Sequence, residues 1–182
     1  MFDLLLTTLP KVLLPAVGIA AMLFAAGRKR LSLTDDLGLR KPDWKIAALF
    51  VALWFCLIVL EESVTKGMAG TEIKLWPSYP TLIVLLRILA IGFLGPIAEE
   101  LVFRGFLMRI VGRTRVGIFG AILVTAALWS LIHFQYTPIV LIIIFIDGIT
   151  LGLARHFTRS LYVPIVMHVL GNLFSIYQSL PP

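Results

Sequence analysis

Long apolar runs separated by short polar stretches organise the chain. A helix needs about 20 apolar residues to cross a hydrocarbon core of roughly 30 Å. On that measure the runs predict about six helical spans, near residues 4–26, 46–62, 81–111, 117–135, 138–155 and 161–178. The third is long for a single crossing, and Gly95-Pro96 within it predicts a kink or break, because proline removes a backbone donor and clashes with the preceding turn. The first opens on Asp3 and is followed by Arg28-Lys29-Arg30, a stop-transfer pattern, so it reads as a retained helix and not as a signal peptide. The expected fold is all-α: a polytopic transmembrane helical bundle forming a single domain over residues 1–182.

Composition agrees with that pattern. Of the 182 residues 59% are hydrophobic, against roughly 45–50% in soluble domains, and the mean hydropathy is +0.99. The net charge of +6 would suit nucleic acid, but its distribution suits a membrane. Arg28, Lys29, Arg30, Arg40, Lys41 and Lys45 fill the first polar stretch; Arg109, Arg113 and Arg115 end the third span; Arg155 and Arg159 follow the fifth. All three clusters fall on one side of a six-span arrangement, and the other side carries only Lys66 and Lys74. The positive-inside rule then puts both termini outside and the basic loops in the cytoplasm. The expected setting is the cytoplasmic membrane of a bacterium or archaeon, with the lipid bilayer as partner and no nucleic acid. Cys56 stands alone in an apolar run, which excludes an intrachain disulfide and a CxxC site and leaves it as a small buried hydrophobe.

Seven polar residues stand out inside the spans: Glu99, Glu100, Arg104, His133, Asp147, His168 and Asn172. A carboxylate at membrane depth costs about 2.5–3.5 kcal/mol on insertion scales, so such acids face a protein interior or a wet cavity and carry function. Glu100 and Arg104 are one helical turn apart and can pair. Glu99, turned about 100° around the axis, is left to project elsewhere as a general base for water. The alternative is a structural ion pair with a spare snorkelling acid. His168 and Asn172 share a helix face, where both can donate to one developing oxyanion. His133 lies near the end of its helix with Trp129 one turn before it; alone, it would read as an interhelical hydrogen-bonding group. Water, a base and oxyanion donors are the parts of a hydrolase. Asp147 and Trp129 are read as supporting groups, Asp147 as one that fixes the tautomer of a histidine.

In order along the chain stand Glu99-Glu100-Leu-Val-Phe-Arg104 (EExxxR), Trp129-Ser-Leu-Ile-His133 at the place of an FxxxH motif, and His168-Val-Leu-Gly-Asn172 (HxxxN). Through these motifs, which fall within residues 90–175, the chain resembles the CAAX protease and bacteriocin-processing (CPBP) family of intramembrane endopeptidases, which includes the type II CAAX prenyl proteases. It looks like a short bacterial-type member. Trp129 replaces the motif phenylalanine, and six spans are fewer than the eight of the prenyl proteases. The resemblance implies an intramembrane endopeptidase acting on a membrane-anchored protein or peptide near its membrane-attached C-terminal region, in protein sorting or tail processing. It implies Glu99 as base with His133 helping to hold it, Glu100 and Arg104 as orienting groups, and His168 and Asn172 at the oxyanion. We read the mechanism as metal-free, with no cofactor; a zinc version would use Glu99, His133 and His168. The competing readings are a bacteriocin immunity factor and a proton-coupled transporter.

Overall fold

The computed structural model describes residues 2–65 and 76–179. Among them run six helical rods: α1 (Phe2–Arg28), α2 (Trp44–Thr65), α3 (Thr81–Gly112), α4 (Gly117–Leu131), α5 (Pro138–Thr158) and α6 (Tyr162–Ser179), with a 3-10 turn at Trp76–Ser78 before α3. No strand occurs among the described residues. Four rods, α1, α2, α3 and α5, are long and apolar enough to cross a membrane. The fold is therefore the expected helical bundle, and the protein is a multi-pass integral membrane protein. Lys66 and Lys74, the two cations assigned to the sparsely charged side, lie outside the described residues.

The rod α3 is the hub, with α1, α4, α5 and α6 packed against it. At Gly95-Pro96, where the sequence led us to expect a kink or break, the rod runs on without a break and is widened. An α-helical start (Thr81–Arg87) passes into a π-helical stretch (Ile88–Leu94), then an α-helical turn (Gly95–Glu100), a second π-helical stretch (Leu101–Leu107) and an α-helical end (Met108–Gly112). In the first wide stretch the Gly95 N–H reaches the Ala90 carbonyl, five residues back. The next pair in that register is Pro96 with Ile91, and proline has no hydrogen to give. The carbonyl of Ile91 is met from α6 instead, by Asn172 Nδ2 at 2.8 Å. A wider turn together with a borrowed donor lets the rod carry its proline without a break.

Two further expectations need correction. The fourth span ends at Leu131 and not near 135, because the chain leaves the helix in tight turns, with His133 N–H on the Ser130 carbonyl and Tyr136 N–H on the His133 carbonyl. Cys56 is exposed on α2, where the inward face is set by Trp54 and Ile58. An apolar side chain in a bilayer has no need of a protein core, so apolar sequence does not imply burial in protein.

The three basic clusters meet at one end of the bundle. The loop after α1 folds over the ends of α3 and α5: Arg109 binds Asp36, the Ser160 hydroxyl donates to the Arg40 carbonyl at 2.5 Å, and the Leu161 N–H reaches the Gly38 carbonyl at 2.7 Å. Near the other end Arg87, 2% exposed, donates to the hydroxyls of Thr8 and Thr7 at 3.0 and 3.1 Å and lies over the Tyr79 ring. This arginine joins α1 to α3.

Candidate active site

Glu99 and Glu100 occupy the single α-helical turn between the two wide stretches of α3. Adjacent on one helix, they point in different directions and meet different partners. Glu100 is fully buried, and its Oε1 accepts from Arg104 Nη1 at 2.7 Å and from His168 Nδ1 at 3.0 Å. Arg104, 1% exposed, also donates to the Gly148 carbonyl at 3.0 Å and places its guanidinium 4.6 Å from the centre of the Trp129 ring. An isolated charge at this depth would be strongly unfavourable, whereas a pair with further hydrogen bonds is tolerated. Through it α3 is held to α4, α5 and α6 at one level.

Glu99 is the reachable acid, with 30% of its side chain exposed. Its Oε2 accepts from Trp129 Nε1 at 2.6 Å, a short contact of the kind a charged acceptor makes. The same oxygen lies 4.0 Å from His168 Nε2, beyond direct hydrogen-bonding distance. His168 thus stands between the two acids, one ring nitrogen on Glu100 and the other towards Glu99. Its ring also packs edge-on to Trp129, with centres 5.1 Å apart.

The remaining motif residues are placed less directly. His133 lies past the end of α4, its Nδ1 2.8 Å from the Trp129 carbonyl and its ring edge-on to the Trp129 indole at 5.5 Å. The group that holds Glu99 is therefore Trp129, and His133 touches that tryptophan. Asn172 directs one amide hydrogen at the Ile91 carbonyl; a carboxamide has two, so a second donor remains. Asp147 bonds neither motif histidine. It faces Glu61 of α2 and lies within electrostatic reach of Arg104. The groups that fix the two histidine rings are the Glu100 carboxylate and the Trp129 carbonyl.

Among the described residues no three His, Cys, Asp or Glu side chains converge closely enough to hold one metal ion, so Glu99, His133 and His168 do not form a ligand set in this arrangement. Sequence reasoning passed over three contributors. Trp129 was given only a supporting place, although an indole N–H where the motif has phenylalanine was the available signal. Glu61, the partner of Asp147, sits at the end of a run and reads there as interfacial. Arg87, near the start of the third run, is not among the seven polar residues that the sequence singles out.

Comparison with known proteins bears on the family to which the chain belongs. The chain is 28% identical over 165 residues to a protein of Staphylococcus aureus (strain USA300) named membrane-embedded CAAX protease MroQ; the matched part is 81% of this chain and 64% of that relative. This chain thus spans somewhat less than two thirds of the relative's length. No solved structure matches it. The family described as type II CAAX prenyl endopeptidase Rce1-like matches residues 80–174, just over half of the chain and all of the site just described, and the chain belongs to that family.

Proposed function

We propose that the protein is an intramembrane endopeptidase that cuts a membrane-anchored protein near its membrane-attached C-terminal region, with Glu99 activating the water. The observation that carries this reading is the division between the two acids: Glu100 is sealed in an ion pair, while Glu99 is partly exposed and stands opposite His168 Nε2. Family membership and the name of the staphylococcal relative support the protease class.

The steps follow from the hydrogen bonds. Glu99 takes a proton from water as its oxygen attacks the scissile carbonyl carbon, and the carbonyl oxygen becomes an oxyanion. The Glu100 carboxylate can only accept, so His168 carries hydrogen on Nδ1; Nε2 is then a donor when the ring is an imidazolium. With His168 in that form, two carboxylates face one guanidinium and one imidazolium, and the set is neutral. Nε2–H and the second amide hydrogen of Asn172 stabilise the oxyanion. As the intermediate collapses the C–N bond breaks, and Glu99 returns its proton to the leaving amine. Trp129 holds the base in place, and His133 acts through Trp129. No step calls for a metal.

The test is cleavage of membrane-anchored reporter proteins bearing C-terminal spans, reconstituted with wild type, Glu99→Gln or His168→Ala, with and without a chelator. Wild type should cut in both conditions and Glu99→Gln in neither. Retained cleavage by Glu99→Gln would remove the assigned base, and chelator-sensitive cleavage restored by zinc would overturn the metal-free mechanism.

A further inference from the structure

At the basic end of the bundle, between the ends of α3, α4 and α5, lies a notch of about 290 Å³. Its walls carry Arg109, Arg113, Arg155, Arg159 and His156, and its inner end is Arg104. Asp35 and Asp36 stand at the rim, and both are engaged: Asp36 with Arg109 and, at 3.6 Å, with Arg113; Asp35 with Arg40 at 3.6 Å. Arg104 is taken by Glu100. Two cations of the wall, Arg155 and Arg159, are left with no acid among the described residues. Arg155 is only half-buried as a residue, but its Nε is shut off from solvent without a hydrogen-bond partner. Its guanidinium packs so closely on Gly38 that a Cβ there would fall 2.3 Å from Nη2, and Arg40 adds a like charge nearby. A partly desolvated guanidinium among other cations is unfavourable unless an anion joins it.

The surroundings say what kind of anion. Beside the notch the rods expose Ile110 and Phe119, and Phe119 touches His156 edge-on with ring centres 5.6 Å apart. A cationic recess therefore opens directly beside an apolar, bilayer-facing surface, at the level where apolar rods give way to basic loops. A phosphate on a glycerol backbone fits that boundary, its oxygens towards the arginines and its acyl chains along Phe119 and Ile110. Basic recesses between transmembrane helices take lipid headgroups by this chemistry. We propose that the notch binds the phosphate headgroup of an anionic phospholipid from the leaflet at the basic end.

The experiment is retention of lipid by the purified full chain, read by native mass spectrometry after exchange into mixed micelles containing phosphatidylglycerol and phosphatidylcholine. Wild type should retain phosphatidylglycerol preferentially, and Arg155→Gln and Arg159→Gln should each lower that retention about fivefold, the effect expected of one charge at a membrane surface. Lys29→Gln and Arg30→Gln, outside the notch, should leave it unchanged. Arg159 is exposed, so its variant should fold even if the Arg155 variant does not; unfolding temperatures of all four are measured alongside. Equal loss in the Lys29 and Arg30 variants would reduce the effect to general surface charge and overturn the site. Displacement of the lipid by millimolar inorganic phosphate, or by a short peptide through its C-terminal carboxylate, would overturn the lipid in favour of a soluble anion or a peptide end.

Discussion

Asn172 on α6 donates its side-chain amide to the carbonyl of Ile91 on α3, 2.8 Å away. That is the carbonyl Pro96 leaves without a donor, five residues on in the wide register set by Gly95 and Ala90. The asparagine of the HxxxN motif thus splints the helix carrying both glutamates. Asn172→Ala should lower stability by about 1 kcal/mol or more, as expected for a partly buried acceptor left without its donor. Restoring a backbone N–H with Pro96→Ala should recover part of that loss in the double variant. The check is a double-mutant cycle of unfolding temperatures in detergent; strictly additive effects would dismiss the splint.

The two acids should fail in different ways. Removing the charge of Glu100 leaves Arg104 and its buried guanidinium without compensation, a loss of about 3–5 kcal/mol, so Glu100→Gln should express poorly or unfold early. Glu99 is partly exposed and paired with a neutral donor, so Glu99→Gln should fold like wild type and lose only cleavage. Parallel unfolding and cleavage measurements decide it. A Glu100→Gln protein as stable as wild type would contradict the role given to the ion pair.

Trp129 links both acids to the histidines: its N–H holds Glu99, its ring lies under Arg104, and its carbonyl meets His133. Trp129→Phe keeps an aromatic ring, the one the resembling motif carries, and removes the N–H together with the pyrrole half of the buried indole. A hydrogen bond to a charged group contributes about 1.5–3 kcal/mol. The smaller ring also leaves a cavity and lowers the unfolding temperature. If the N–H serves to aim the base, cleavage by the folded variant should still fall about tenfold or more at a temperature well below its unfolding. Unchanged cleavage would show that Glu99 is aimed by something else.

The sequence made the pairings within one helix legible and left most of those between helices hidden. Spacing by four was enough to pair Glu100 with Arg104, and that contact forms at 2.7 Å. Spacing also put His168 and Asn172 on one face, yet it could not show that Asn172 would meet a carbonyl 81 residues away. The wide stretches of α3 were invisible because apolar residues surround them on every side, and no hydrophobic stripe records a change of register. The same uniformity hid the exposure of Cys56 and the early end of α4. In a bilayer, lipid and core are equally apolar, so the pattern that locates helices does not orient them.

At the basic end, Asp36 ties the first loop to α3. Its carboxyl is held below the usual carboxylate range first by the Ser32 backbone N–H and then by Arg109. A lowered value in the folded state means that the ionised form stabilises the fold. That contribution is complete above the unfolded aspartate range, near pH 4, and is lost as the pH falls through the lower folded value. Asp36→Asn should therefore unfold at a lower temperature than wild type at pH 7, and the two should converge in acid. Unfolding curves between pH 3 and 7 provide the test; a constant difference at all pH values would rule out the carboxylate as its source.

The last dependence is on a glycine. Arg104 reaches the carbonyl of Gly148 because α5 lies almost against α4 there: a Cβ on Gly148 would fall 2.8 Å from Ala126 Cβ and 3.2 Å from the Trp129 ring. Backbone and a fully buried alanine cannot yield as a flexible side chain would, so the added methyl must push the two rods apart. Overpacking of this kind costs about 1–3 kcal/mol, and it would also draw the carbonyl away from Arg104 and tilt Trp129 off Glu99. Gly148→Ala should accordingly lose both stability and cleavage. Gly18→Ala, in a helix where nothing lies within 4 Å of the new methyl, should lose neither. If the two variants behave alike in unfolding and cleavage assays, the close approach of α4 and α5 is not what positions the site.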